Sequence, residues 1–480
     1  VAGKNDSYSN PLISRYASAE MGAVFSEGNR YRTWRRCWIA LAEAQAELGL
    51  NISESQLAEL RAKRDELNFA VMERKERELR HDVMAAIHAY GEQCPAAKGI
   101  IHLGATSCFV TDNTELIQYH QALRLVQRRL LRVIGELARF AEAHKALRCL
   151  GYTHFQPAQP TTLGKRATLW LQDLLIDWED LERLLAGYRL RGAKGATGTQ
   201  DSFLKLFGGD HEKVKELDRL VCEKLGFPAR FAVTGQTYPR LWDSRIMDLL
   251  KDTAQIAHKF AVDFRLMQHL KMVEEPFEEK QVGSSAMAYK RNPMRCERLC
   301  SLARYVMSQV QSADQTAANQ WLERTLDDSA GRRLYLPQSF LAVDAILILY
   351  AGVLKGARVY PKVTARLLVE ELPFLATETV IMQAVVRGAD RQVLHEAVRE
   401  HAIAAAREMK EQGSSSRLLE RLAEDGRIPF DLDELKEIAY GSDFSGRAER
   451  QVEEYLDEQV RPLLDRYRHL EAGGDEELRV

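Results

Sequence analysis

The sequence has almost no net charge, no disulfide framework and no convincing membrane span, and each absence narrows what the chain can be. Its 67 Lys and Arg face 69 Asp and Glu, a formal net charge of −2 over 480 residues. Such a balance gives no electrostatic reason to expect nucleic acid or an anionic membrane as partner. The opening VAGKNDSYSN is polar, without the apolar core of a signal peptide and without an initiator Met, so a processed or truncated start is expected. The most apolar stretch, SFLAVDAILILYAGVL (339–354), carries Asp344 and is short for a span, which predicts a buried helix. Seven cysteines, an odd number with no paired spacing, suit reduced thiols in a cytoplasmic protein. Cys296 and Cys300 lie one helical turn apart, but no His or Cys pair follows at zinc spacing, and no Gly-rich dinucleotide fingerprint occurs. No metal and no cofactor are expected. Strand signals are sparse too.

What the chain does have is helical periodicity. Within 118–148, Leu123, Val126, Leu130, Val133, Leu137, Phe140 and His144 alternate spacings of three and four, the seam of a packed helix. Ala167, Leu171, Leu174, Trp178, Leu181, Leu185 and Tyr188 repeat it. From about 241 to 271, Ile246, Leu249, Ile256, Phe260 and Met267 share a face that polar Thr253 interrupts. A fourth seam follows Pro293 through Leu299, Leu302, Val306 and Val310. Helices of about 30 residues are about 45 Å long, more than one small domain needs. Side by side they predict an elongated bundle that subunits share. The expected fold is all-α in three domains: N-terminal at 1–106, the long bundle at 107–359 and C-terminal at 360–480.

Two connections stand out. RGAKGATGTQDSFLKLFGGDH (191–211), with five glycines, reads as loop throughout. EEPFEEKQVGSSAMAYKRNP (274–293) is a second long loop, and its Gly and Pro forbid a continuous helix. A solvated surface loop is the plain alternative. Yet Met287 and Tyr289 sit among its charges, and its Gly-Ser-Ser start frees backbone N–H groups to face an anion. Lys290 and Asn292 could then neutralise charge that develops during a reaction.

Other stretches add candidates. GYTHFQPAQPTTLGKR (151–166) sets His154 in a turn before a long helix, either a structural histidine or a proton-transfer group. In RHDVMAAIH, His81 and His88 are two turns apart on one face, too far to chelate a metal. IIHLGATSCFVTDN (100–113) offers Thr106 and Ser107 on a Gly-linked turn suited to carboxylate or phosphate oxygens. ERTLDDSAGRR (323–333) is a solvated turn or a phosphate site, in which Arg324, Ser329 and Arg333 form a fitting donor set.

The GSSAMAYKRNP loop (283–293) resembles the Gly-Ser-Ser-x-Met-Pro-x-Lys-x-Asn signature of the fumarase/aspartase superfamily, whose members are tetrameric long-helix bundles that eliminate fumarate. SRYAS, RHDVMA, LGATSC, THFQPAQ, TGQTY and ERTLDDSA extend the likeness in one register over nearly the whole chain. They resemble the superfamily's animal-type branch that handles a nucleotide monophosphate, a small-molecule substrate. That branch cleaves a C–N bond in an N-succinyl purine or carboxamide ribotide during purine biosynthesis. The resemblance implies Ser284 as base, His154 as general acid with Glu297 orienting it, and Lys290 and Asn292 as stabilisers of developing charge. His81 would help hold the phosphate end beside Arg80 and Asp82. Arg15, Tyr16, Thr106, Ser107, Gln236 and Arg298 would line the substrate site, and a homotetramer would build each site from three subunits. Ala288 departs from the signature's Pro and leaves every chemical group in place. The rivals are the argininosuccinate lyase branch, which needs no phosphate set, and a non-catalytic structural recruit of the fold.

Overall fold

The computed structural model describes residues 7–278 and 280–470. Five long helices dominate it: α1 (Ser107–Ala143), α2 (Leu163–Ala186), α3 (Leu241–His269), α4 (Met294–Ala318) and α5 (Asp328–Gly356). The fold is all-α, with two short antiparallel strand pairs as its only sheet among the described residues. α3 runs along α4, α4 along α5, and α1 along both α2 and α5. The apolar seams are the faces that meet: Leu123, Val126, Leu130, Val133 and Leu137 are buried, as are Leu171, Leu174, Trp178, Phe260, Leu299 and Val306. Polar Thr253 does not break its seam, because its Oγ1 donates to buried Asp177 at 2.7 Å on the neighbouring α2. Burial pushes the Asp177 carboxyl up to about 7.

α1 begins at Ser107, well before the 118–148 seam, and ends at Ala143. Its first turns are buried nearly all round, polar Asp112, Asn113 and Thr114 included, so no one-sided stripe marks them. α5 is long and apolar enough to cross a membrane, but most of it is buried inside the bundle. Its Asp344 accepts from the Ser18 N–H at 2.7 Å and from Arg129 Nε at 3.3 Å.

Two segments differ from expectation. The stretch after α1 forms a hairpin, β1 (Arg148–Thr153) with β2 (Gln156–Thr162), rather than a simple turn before α2. Pro157 and Pro160 fit because a two-stranded ribbon leaves half its backbone groups unpaired, and the register shifts between Leu150 and Gly151. The glycine-rich 191–211 connection is not loop throughout: it holds a helical turn and a half at Asp201–Leu206.

One large hydrophobic core joins the N-terminal helices to the bundle and takes in Val452, Leu456 and Val460 from the far end of the chain. A second core, from Ala376 to Ala439, stands on its own. Leu150, Leu368 and Leu372 form a small cluster that seats the hairpin on the helix Pro361–Leu375.

Candidate active site

A cavity of about 860 Å³, within the range of small-molecule sites, opens beside the N-termini of α1 and α5. It collects Arg80, His81, Asp82, Thr106, Ser107, Gln236, Arg324, Ser329 and Arg333. Most come from element ends, while Gln236 and Arg324 stand in the connections before α3 and α5. Arg80 closes the helix Phe69–Leu79 in the left-handed region (φ 54°), which turns the chain sharply into the helix Asp82–Gln93. His81 is therefore that helix's N-cap and not a member of the face that carries His88. Its Nδ1 accepts from the Met84 N–H at 3.3 Å, so the neutral ring carries its proton on Nε2, which lies 3.3 Å from Ser107 Oγ. Thr106 and Ser107 open α1, where the first-turn N–H groups have no helical partner. Ser329 and Arg333 sit four apart on the first turns of α5, and Arg333 Nη2 reaches Asp82 Oδ2 at 3.5 Å.

Beneath the cavity lies a buried ion network. Arg240 Nη1 and Nη2 donate to Asp112 at 3.3 and 3.2 Å, and its Nε donates to Asp328 at 2.8 Å. Arg332 pairs with Asp243 at 2.6 Å and with Glu115 at 2.8 Å. Burial opposes the charge on Asp112, but Arg240, Arg332 and Arg191 hold its pKa below the usual range. Asp328 in turn stands 3.7 Å from Arg324, whose Nη1 donates to Gln236 Oε1 at 3.1 Å and touches Cys108 Sγ. Gln236 is fixed from every side, donating to Ala196 O at 3.0 Å and accepting from Arg191 Nε on its own carbonyl at 2.7 Å. Cys108, Asp112, Glu115 and Arg240 line the cavity and were not among the sequence candidates. Cys108 could have been noticed beside Ser107, but isolated buried charges carry no local signal.

The remaining candidates lie elsewhere. Ser284 is half-buried on the 274–293 loop, and its Oγ accepts from the N–H groups of Met287 (3.1 Å) and Ala286 (3.4 Å). Two such donors favour an oxygen that must lose its proton. Asn292 Nδ2 donates to Gly283 O at 2.8 Å, and a Cβ at Gly283 would meet Lys290 O at 2.2 Å, so only glycine allows this close return. The Lys290 ammonium is exposed and has no ion-pair partner among the described residues. At the start of α4, Glu297 lies 3.8 Å from Arg265, and the Arg298 guanidinium sits 5.8 Å over the Tyr16 ring. Arg15 is exposed one residue before Tyr16.

His154 is exposed at the hairpin tip, where Thr153 pairs with Gln156. The two loop residues, His154 (φ 55°) and Phe155 (φ 56°), both lie in the left-handed region. Hairpin turns of that kind favour Asn-Gly, and a non-glycine residue there costs of order 1–3 kcal/mol. No described contact joins His154 to Glu297. Within one chain the candidates thus form three sets: the cavity, the loop with the start of α4, and the hairpin tip.

A family model described as "Lyase" matches residues 17–308, and one described as "Adenylosuccinate lyase C-terminus" matches 373–455. The chain is 51% identical to the adenylosuccinate lyase of Saccharomyces cerevisiae over 462 residues, 96% of each chain. It belongs to the adenylosuccinate lyase family. It is also 48% identical to the adenylosuccinate lyase of Schizosaccharomyces pombe, covering 95% of this chain and 96% of that one. The adenylosuccinate lyase of Schistosoma mansoni is 47% identical over 96% of this chain and 97% of its own. Among solved structures, a fumarate lyase from Mesorhizobium superposes with TM-score 0.80 at 22% identity, over 94% of this chain and all of that one. That likeness shows the fold, an all-α bundle of long helices.

Proposed function

We propose that this adenylosuccinate lyase family member is a carbon–nitrogen lyase of purine biosynthesis. It cleaves adenylosuccinate to AMP and fumarate, and the succinyl-aminoimidazole-carboxamide ribotide to its carboxamide ribotide and fumarate. The observation that carries the reading is the cavity, in which Arg324, Ser329 and Arg333 present a fork of donors beside two helix N-termini, chemistry suited to a phosphate monoester.

In this reading Ser284 Oγ takes the proton next to a succinyl carboxylate. The electron pair moves into that carboxylate, giving a dianionic aci form that Lys290, Asn292 and loop N–H groups stabilise. Collapse of that form breaks the C–N bond, and His154, oriented by Glu297, delivers a proton to the departing nitrogen. No water is consumed. Serine is a poor base unaided, and the Met287 and Ala286 amides on its Oγ assist its ionisation. Arg80, His81, Asp82, Thr106, Ser107 and Gln236 hold the nucleotide end, while Arg15, Tyr16 and Arg298 complete the substrate site.

The separation of the three candidate sets within one chain supports a homotetramer whose sites each draw on three subunits. The seven free cysteines suit a cytoplasmic setting. Purified protein should convert adenylosuccinate to AMP and fumarate in an absorbance assay, and no turnover would overturn the activity. Inactive His154→Ala and Ser284→Ala proteins, mixed so that subunits exchange, should regain partial activity. Mixtures that exchange yet stay dead would refute the shared site.

A further inference from the structure

Among its described residues the 274–293 loop has no backbone ladder beyond the Val273–Glu274 strand that leads into it, so side chains must close its base. Glu275, 3% exposed, stands at the entry. One carboxylate oxygen accepts from the Arg295 N–H at 2.9 Å and the other from the Cys296 N–H at 3.0 Å, both in the first turn of α4. The Arg295 guanidinium turns away to Glu278 at 2.8 Å, so the carboxylate is held by amides at the positive end of the helix. Burial raises its pKa, while those two amides pull the other way. A second bridge runs alongside. Gln268 of α3 accepts from the Glu275 N–H through Oε1 and donates through Nε2 to Arg291 O, each at 3.3 Å.

The two bridges join the segments that hold the proposed chemistry. Ser284, Lys290 and Asn292 lie on the loop, and Glu297 and Arg298 follow at once in α4. α4 itself is secured by Cys296, Leu299, Leu302 and Val306 in the core, so its fold does not depend on Glu275. What depends on Glu275 is the registry of the loop against the helix end. We propose that Glu275 is a positioning residue for the elimination, fixing the serine and lysine of the loop relative to Glu297 and Arg298. The inference rests on the lyase reading above, which gives those residues their roles.

The test uses the full-length protein. In E275Q the side-chain oxygen can accept from one amide, while its NH₂ group opposes the other. Turnover of adenylosuccinate should fall about ten- to a hundredfold, as for a misplacement of an ångström or less, with KM and AMP affinity changed less than about threefold. Amides of 283–293 should exchange hydrogen faster, with oligomeric state unchanged. Q268A, at a half-buried position, weakens the other bridge and should show the same split at about three- to tenfold. A kcat within about twofold of wild type, or a KM that rises as much as kcat falls, overturns the proposal. If E275Q does not fold, Q268A decides by the same criterion. If wild-type protein fails to cleave adenylosuccinate, the lyase reading falls, and unchanged loop exchange in both variants would separately overturn the bridge.

Discussion

The cavity and the 274–293 loop are built by opposite means. The cavity residues rest on Arg240, Asp112, Asp328, Arg332 and Asp243, all buried and paired with one another. The loop is tethered by a few side chains at its base, with Tyr289 and Lys290 out in solvent. Buried paired charges hold one geometry, because breaking a pair strands an ion. An exposed segment with few contacts can open at little cost. On the proposed reading, one chain therefore carries a finished place to hold a phosphate and an unfinished place to do chemistry.

The sharpest test of that contrast is Ser284→Ala, which should lower turnover by up to about 10⁴-fold, roughly 5 kcal/mol, with AMP binding and assembly intact. Retention of more than about a tenth of the activity, a loss under ~1.4 kcal/mol, would move the base to another group, Ser285 first. Next in size, Arg240→Ala strands Asp112 and Asp328 and should cost about 3–5 kcal/mol of stability. Arg291→Ala, which breaks an exposed pair with Glu274, should cost less than about 1 kcal/mol. Equal shifts in their thermal midpoints would empty the contrast. Arg324→Ala should weaken AMP binding by roughly 1.5–3 kcal/mol and leave adenosine nearly unaffected, measured by calorimetry. Equal losses for both ligands would remove phosphate from the cavity.

The smallest effect belongs to the loop. Ala288 stands where the superfamily signature has Pro; its φ is not positive and its N–H has no hydrogen bond among the described residues. Both are conditions that proline tolerates. Ala288→Pro should narrow the open ensemble by about 0.4–1 kcal/mol and raise kcat two- to fivefold where closure limits turnover. A clear loss of activity in an intact assembly would mean that the loop closes in another conformation.

How much of this was legible in the sequence follows from the range of the interactions. The seams of α1 to α4 could be read because a helix repeats its buried face every three or four residues, and Leu130, Leu171 and Leu299 are fully buried as that pattern requires. The cavity set and the loop could be read because short polar motifs survive as strings. The hairpin could not, since Pro157 and Pro160 argue against a strand until the ribbon is seen to have only two. The ion network was equally silent. Asp112 and Arg240 are 128 positions apart, and neither has a neighbour that announces the other.

The turn at His154 and Phe155 has a consequence for anyone engineering the protein. A redesign aimed at raising the melting temperature would include these two left-handed turn residues among its targets and replace them with Asn-Gly. Such a variant should relieve backbone strain at the hairpin tip and fold at least as stably as the parent chain. It would also have lost the imidazole that the lyase reading relies on to release its product nitrogen. On that reading, backbone idealisation and catalytic function pull in opposite directions at the hairpin tip, and thermostability screens need an activity counter-selection there.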